Sequence, residues 1–176
     1  MKSKVGMVFL SYLLLTVLIS GAQKVKRKDL PEKYRDFLKL TEYIMLSEEK
    51  EVFMQLSDGG ERDSFIETFW KKRDPTKGTP LNEYREEHIE RFQYANRVLG
   101  RGTTREGWMT DRGHIYIILG PPASIESFEA TQGLYPTRVW YYYGDRTKGL
   151  PAHFGIVFFQ RQGVGEFKLY DPVSDG

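Results

Sequence analysis

The spacing of apolar positions changes two-thirds of the way along the chain. Up to Gly100 they recur three and four residues apart, the period of one helix face; beyond Ile115 they cluster or alternate, as in strands. The first regime predicts a short helix from Pro31 to Leu40, with Tyr34, Phe37 and Leu38 on one face. The stretch Thr41–Leu46 is rich in β-branched and aromatic residues and suits a strand joining the later sheet, although it could continue the helix. Ser47 is placed to cap a helix carrying Val52, Phe53 and Leu56, which Ser57-Asp58-Gly59-Gly60 should stop. A second helix carries Phe65, Ile66, Phe69 and Trp70 and ends at Lys71-Lys72-Arg73, because Asp74-Pro75 forbids its continuation. A third, capped by Thr79 with Pro80 in its first turn, carries Leu81, Tyr84, His88, Phe92, Ala95 and Leu99 and closes at Gly100.

In the second regime, Ile115–Leu119 reads as a strand buried on both faces and ended by Gly120-Pro121-Pro122. Residues 123–137 read as irregular, with one helical turn over Ser124–Phe128. Arg138–Tyr143 alternates, with Val139, Tyr141 and Tyr143 on one side and Trp140 and Tyr142 on the other. His153–Gln160 and Glu166–Tyr170 form a hairpin through Gln162-Gly163-Val164-Gly165. Helices first and strands later make an α+β fold: about three N-terminal helices packed on a small, mainly antiparallel sheet of three to five strands.

Between the regimes lies Gly107-Trp108-Met109-Thr110-Asp111-Arg112-Gly113. Thr110–Gly113 has β-turn chemistry, since Asp can accept from nearby amides and Gly can take positive φ. Gly107 permits close backbone approach, and Trp108 is suited to plug the helix–sheet interface with its N–H bonded. A structural role accounts for every residue here. The functional alternative gathers Asp111 and Arg112, with Arg73 and Asp74, into a polar cleft that binds a ligand or pins the two halves together.

The N-terminus modifies the charge balance. Lys2 and Lys4 precede a 13-residue apolar run, Met7–Ile19, followed by Ser20-Gly21-Ala22: the layout of a signal peptide cleaved near Ala22. The run is shorter than the ~20 residues that span a bilayer. The alternative is an uncleaved anchor, helped by the basic residues from Lys24 to Lys28, and this would be the only contact with membrane. Loss of residues 1–22 leaves 24 basic and 24 acidic residues, so the mature chain is neutral and offers no nucleic acid footprint. The chain has no cysteine, hence no disulfide, thiolate ligand, thiol nucleophile or lipid attachment point. The expected organisation is therefore a signal peptide over 1–22, a basic linker and short helix over 23–40, and one domain over 41–176, helical over 41–100 and β over 107–172.

Little else points to chemistry. His88 falls on the apolar face of its helix, where a satisfied core histidine is the expectation. His114 and His153 each open an expected strand, but two histidines without a third ligand are a weak metal signal. There is no His-Glu-x-x-His arrangement, no G-x-S-x-G elbow and no Lys-Ser/Thr after the glycines of 100–107. No catalytic residue, metal or cofactor is assigned. The aromatic strand 140–143 could stack on sugars, although such strands more often fill a sheet's core.

Gly107-Trp108-Met109-Thr110-Asp111 resembles the signature of the bacterial GWxTD-domain proteins. Further pieces follow in the same order: Trp70 with Arg73-Asp74-Pro75, Asn82-Glu83, Tyr94-Ala95-Asn96, Asp111-Arg112-Gly113, Gly120-Pro121-Pro122 and Trp140. The resemblance covers roughly Thr41 to Pro172; at position 114, where the family usually carries a permanent cation, this chain has His114. It implies an exported bacterial protein and supplies no catalytic residues. The reading is a non-catalytic interaction or assembly module of the cell envelope, periplasmic or extracellular, with a protein partner met through a sheet edge or the aromatic face. The alternatives are an envelope-acting hydrolase using Asp111 with a Glu or His, and a carbohydrate-binding module.

Overall fold

The computed structural model describes residues 26–171 except 132 and 162, and except the side chain at 148. The expected signal segment and its cleavage point lie outside the described residues. Within them, no helix is long and apolar enough to cross a membrane.

Among the described residues five α-helices precede the sheet: α1 (Glu32–Leu40), α2 (Ser47–Gln55), α3 (Gly59–Arg73), α4 (Glu83–Tyr94) and α5 (Asp111–Leu119). Their caps differ from those the sequence suggested. Ser47 is the first residue of α2, and Glu49 folds back to accept the Leu46 N–H at 3.0 Å. Gly59-Gly60 opens α3 instead of closing α2, because the Asp58 carboxylate accepts from the amides of Gly60 and Glu61. The cap of α4 is Asn82, three residues after Thr79, so Leu81 precedes the helix and is exposed. A π-helical segment, Ala95–Leu99, then carries α4 onward to Gly100.

Two expected strands are not strands. Thr41–Ile44 is a turn, fixed by the buried Thr41 hydroxyl donating to Phe37 O at 2.7 Å. Ile115–Leu119 is the body of α5. Its β-branched content favours a strand, but three local interactions outweigh that preference. Thr110 caps the first turn, Arg91 donates to the carbonyls of Ile117 and Ile118 at the last, and Gly120 ends the helix at φ 81°.

The sheet runs β1 (Ser124–Phe128), β2 (Thr137–Tyr143), β3 (His153–Phe159), β4 (Lys168–Leu169), in that spatial order and antiparallel throughout. β1 occupies the segment read as a helical turn. In β2, Trp140 and Tyr142 are buried while Tyr141 and Tyr143 are exposed, as the alternation predicted. The class is α+β, with helices on one face of an antiparallel sheet.

The packing divides differently from the expected three helices on a sheet. α1, α2 and α3 close a core of their own around Leu38, Phe53 and Phe69, with Phe37 ringed by Phe53, Phe65 and Phe69 at 5.3–6.5 Å. Each fully buried side chain of this size contributes about 2 kcal/mol. The second core joins Ala95, Leu99, Trp108 and Ile117 to Trp140, Tyr142, Phe158 and Phe167 of the sheet side. Thus α5 and the end of α4, not the first three helices, cover the sheet. Tyr43 ties the cores together: it leaves the α1–α2 turn and packs on Trp108 at 5.9 Å.

Candidate functional site

The junction is built by close backbone approach. A Cβ on Gly107 would lie 1.9 Å from Ala95 O, and one on Gly113 would lie 1.9 Å from Gly107 O. The first turn of α5 therefore rests on the turn Gly107–Met109, which rests in turn on the π-helical segment; only glycine permits either contact. Asn96 Oδ1 accepts the Trp108 N–H at 3.1 Å, and the Tyr43 hydroxyl donates to Trp108 O at 2.9 Å. The Trp108 indole N–H donates to Glu106 at 3.0 Å, and Glu106 also pairs with Lys39. Trp108 does plug the interface with its N–H bonded.

Thr110 to Gly113 is a helix cap, not a free turn. Thr110 is 1 % exposed; its hydroxyl donates to Gly107 O at 2.7 Å and accepts from Gly113 N at 3.0 Å. Asp111, in the first turn, accepts the Leu169 N–H at 2.8 Å and so holds β4. Its own amide donates to Glu166 at 3.2 Å. Lys168 reaches both carboxylates, at 3.6 Å to Asp111 and 3.0 Å to Glu166, and Arg105 lies 3.4 Å from Glu166. Burial pushes the Glu166 carboxyl up, but Lys168, the Asp111 amide and Arg105 outweigh it and hold the group below its usual range.

Arg112 is 7 % exposed. Its guanidinium lies over the Phe167 ring at 4.7 Å, and Arg138 lies over the same ring at 4.8 Å. Burial, then repulsion from Arg138, lowers the pKa of Arg112; Glu166 and Tyr94 oppose this weakly.

Arg73 and Asp74 do not join this cluster. Arg73 pairs with Glu49 at 2.6 Å, donates to Ile44 O and lies over Phe69, all in the first core. Asp74 accepts from the Thr76 amide. Trp70 is buried there too, and its carbonyl accepts from Asn82 Nδ2 at 2.8 Å, so Asn82 caps α4 and ties it to α3. Gly120 closes α5 with its carbonyl bonded by Tyr142, Pro121 follows on the surface, and Trp140 sits 2 % exposed in the second core.

The histidines separate. His88 Nε2 donates to Leu40 O at 2.7 Å, and burial lowers its pKa. His114 lies on α5, not at a strand start, and stacks on Tyr43 at 4.0 Å; burial lowers its pKa and Asp111 partly restores it. His153 opens β3 beside Tyr143. Among the described residues no three His, Asp or Glu side chains gather as a metal would require.

Sequence reasoning missed Glu166, Phe167, Lys168 and Arg138 as neighbours of the motif. One signal was available: Arg138 shares its strand face with Trp140 and Tyr142, so the alternation places a cation on the buried side.

A family model described as the GWxTD domain matches residues 21–165. The chain belongs to the GWxTD-domain family. The family's naming residues are thus the ones just described, with Gly107, Trp108, Thr110 and Asp111 committed respectively to a backbone contact, a plug, a cap and a strand anchor. Comparison with curated proteins and with solved structures finds no match.

Proposed function

We propose that this GWxTD-domain chain is a non-catalytic interaction or assembly module, exported to the bacterial cell envelope and met there by a protein partner. The observation that carries this is the outer face of the sheet. Phe128, Tyr141 and Tyr143 lie on the side turned away from Trp140 and are 50, 37 and 75 % exposed. β1 beside them is exposed along its whole length and occupies a sheet edge. An uncovered aromatic face next to an open edge suits pairing with another chain.

The hydrolase alternative draws on the meeting of Asp111 with Glu166. A general acid needs a raised pKa, and the cations around Glu166 hold it below its usual range, which argues against that role for it. The carbohydrate alternative loses half of its aromatic strand, since Trp140 and Tyr142 are buried.

The test is site-specific photo-crosslinking in cells. A crosslinker at Tyr143 should trap a discrete protein adduct, and Phe128→Ser with Tyr141→Ser should abolish it. No adduct at Tyr143, or the same adduct from exposed Glu67 on α3, would overturn the proposal.

A further inference from the structure

On the opposite face of the sheet, the surroundings of Phe167 carry an unbalanced charge. Arg112 enters from the first turn of α5 and Arg138 from the inner face of β2, and their guanidinium groups meet one aromatic ring. Phe167 is itself 8 % exposed, and Arg138 is half-buried. The distances to the ring limit how far apart the two charges can lie, and no carboxylate pairs with either among the described residues. Glu166, the nearest candidate, is already shared by Arg105, Lys168 and the Asp111 amide; Asp111 serves Leu169 and Lys168. Four cations, Arg105, Arg112, Arg138 and Lys168, thus face two carboxylates.

Arg112 is the sharper anomaly. It is more than nine-tenths buried, its Nε is sealed from solvent, and that N–H has no hydrogen-bond partner. A buried guanidinium normally has its fork filled by a carboxylate, phosphate or carbonyl, because an unfilled donor bears the full cost of desolvation. The contact with the Phe167 ring, 4.7 Å from guanidinium carbon to centroid, favours the charge but gives the Nε–H no acceptor. One sealed, unpartnered guanidinium N–H with a second, half-buried guanidinium against the same ring offers the charge and the donor that a planar or tetrahedral oxyanion takes.

We propose that Arg112 and Arg138, held on Phe167, form a binding site for a single oxyanionic group, a phosphate or a carboxylate. The site is independent of the outer aromatic face and stands or falls apart from it.

The test is NMR titration of the folded protein, reading the Arg112 Nε–H cross-peak, with inorganic phosphate and acetate as probes and chloride as the control at matched ionic strength. A saturable shift with phosphate or acetate is expected, and whichever probe saturates at lower concentration names the chemistry. Arg138→Gln should weaken the binding at least tenfold, and Arg138→Lys should weaken it less, because it keeps the charge but loses the fork. Arg97→Gln, an exposed arginine on the π-helical segment, should leave binding unchanged. A shift no larger than with chloride, or saturation unaltered by Arg138→Gln, would overturn the proposal.

Discussion

The Cβ position of Gly113 lies 1.9 Å from the carbonyl oxygen of Gly107. Two members of one short motif are thus each other's steric limit, and Gly107 is limited again by Ala95. Gly113→Ala must separate the first turn of α5 from the turn below it. Overpacking without room to relax should cost about 3 kcal/mol. Urea unfolding should show the loss as a lower midpoint or as failure to fold; a variant within 1 kcal/mol of the parent would show that the contact yields easily.

Thr110 has a different chemical role. Its hydroxyl both donates and accepts within the junction, so Thr110→Val keeps the shape and removes both bonds. The expected cost is about 1–2 kcal/mol, with Thr110→Ser close to the parent. A loss in Thr110→Ser with none in Thr110→Val would assign the effect to the methyl group's packing instead.

Asp111 anchors β4 by one hydrogen bond and one ion pair. Asp111→Asn keeps an acceptor for the Leu169 amide, whereas Asp111→Ala does not. Hydrogen exchange at Leu169 should therefore quicken markedly in the alanine variant and only slightly in the asparagine variant. Parallel behaviour in the two would separate β4 from this side chain.

His88 and His114 both have folded-state pKa values below the ordinary histidine value near 6.5, mainly through burial. The stability they carry is complete above about pH 6.5 and is lost as pH falls through the folded values. Glu42, Glu49 and Glu166 are also held below their usual range, by cations that outweigh their burial, so their contributions are lost only at more acid pH. The urea midpoint should decline between pH 7 and pH 5.5, and His88→Gln should flatten that decline. An unchanged slope in His88→Gln would place the effect elsewhere.

The helical half was legible because its signals were local. Phe65, Ile66, Phe69 and Trp70 mark one buried stripe, and Trp140 and Tyr142 alternate cleanly with Tyr141 and Tyr143. What failed was a contest between local preference and tertiary contact. Ile115, Ile117 and Ile118 argue for a strand, yet Arg91, more than twenty residues earlier, bonds the end of that segment as a helix. Thr110-Asp111 was readable as a cap followed by a first-turn acid, but Gly113 three residues later favoured the turn. Arg73 shows the limit of proximity by motif: its partner Glu49 is 24 residues away, and the fold keeps both in the first core. Glu166 and Phe167 reach the site through a hairpin, and the distance along the chain hid them.

Asp111 and Leu169 are separated by 58 residues. Closing a loop of that length costs entropy before the contact returns anything, so this pairing belongs to the late steps of folding. A growing chain that has reached Arg161 contains α1 to α5, yet Asp111 still lacks its Leu169 partner. The motif is thus completed from the far end of the domain, and whatever docks against residues 166–169 also reports whether folding has finished.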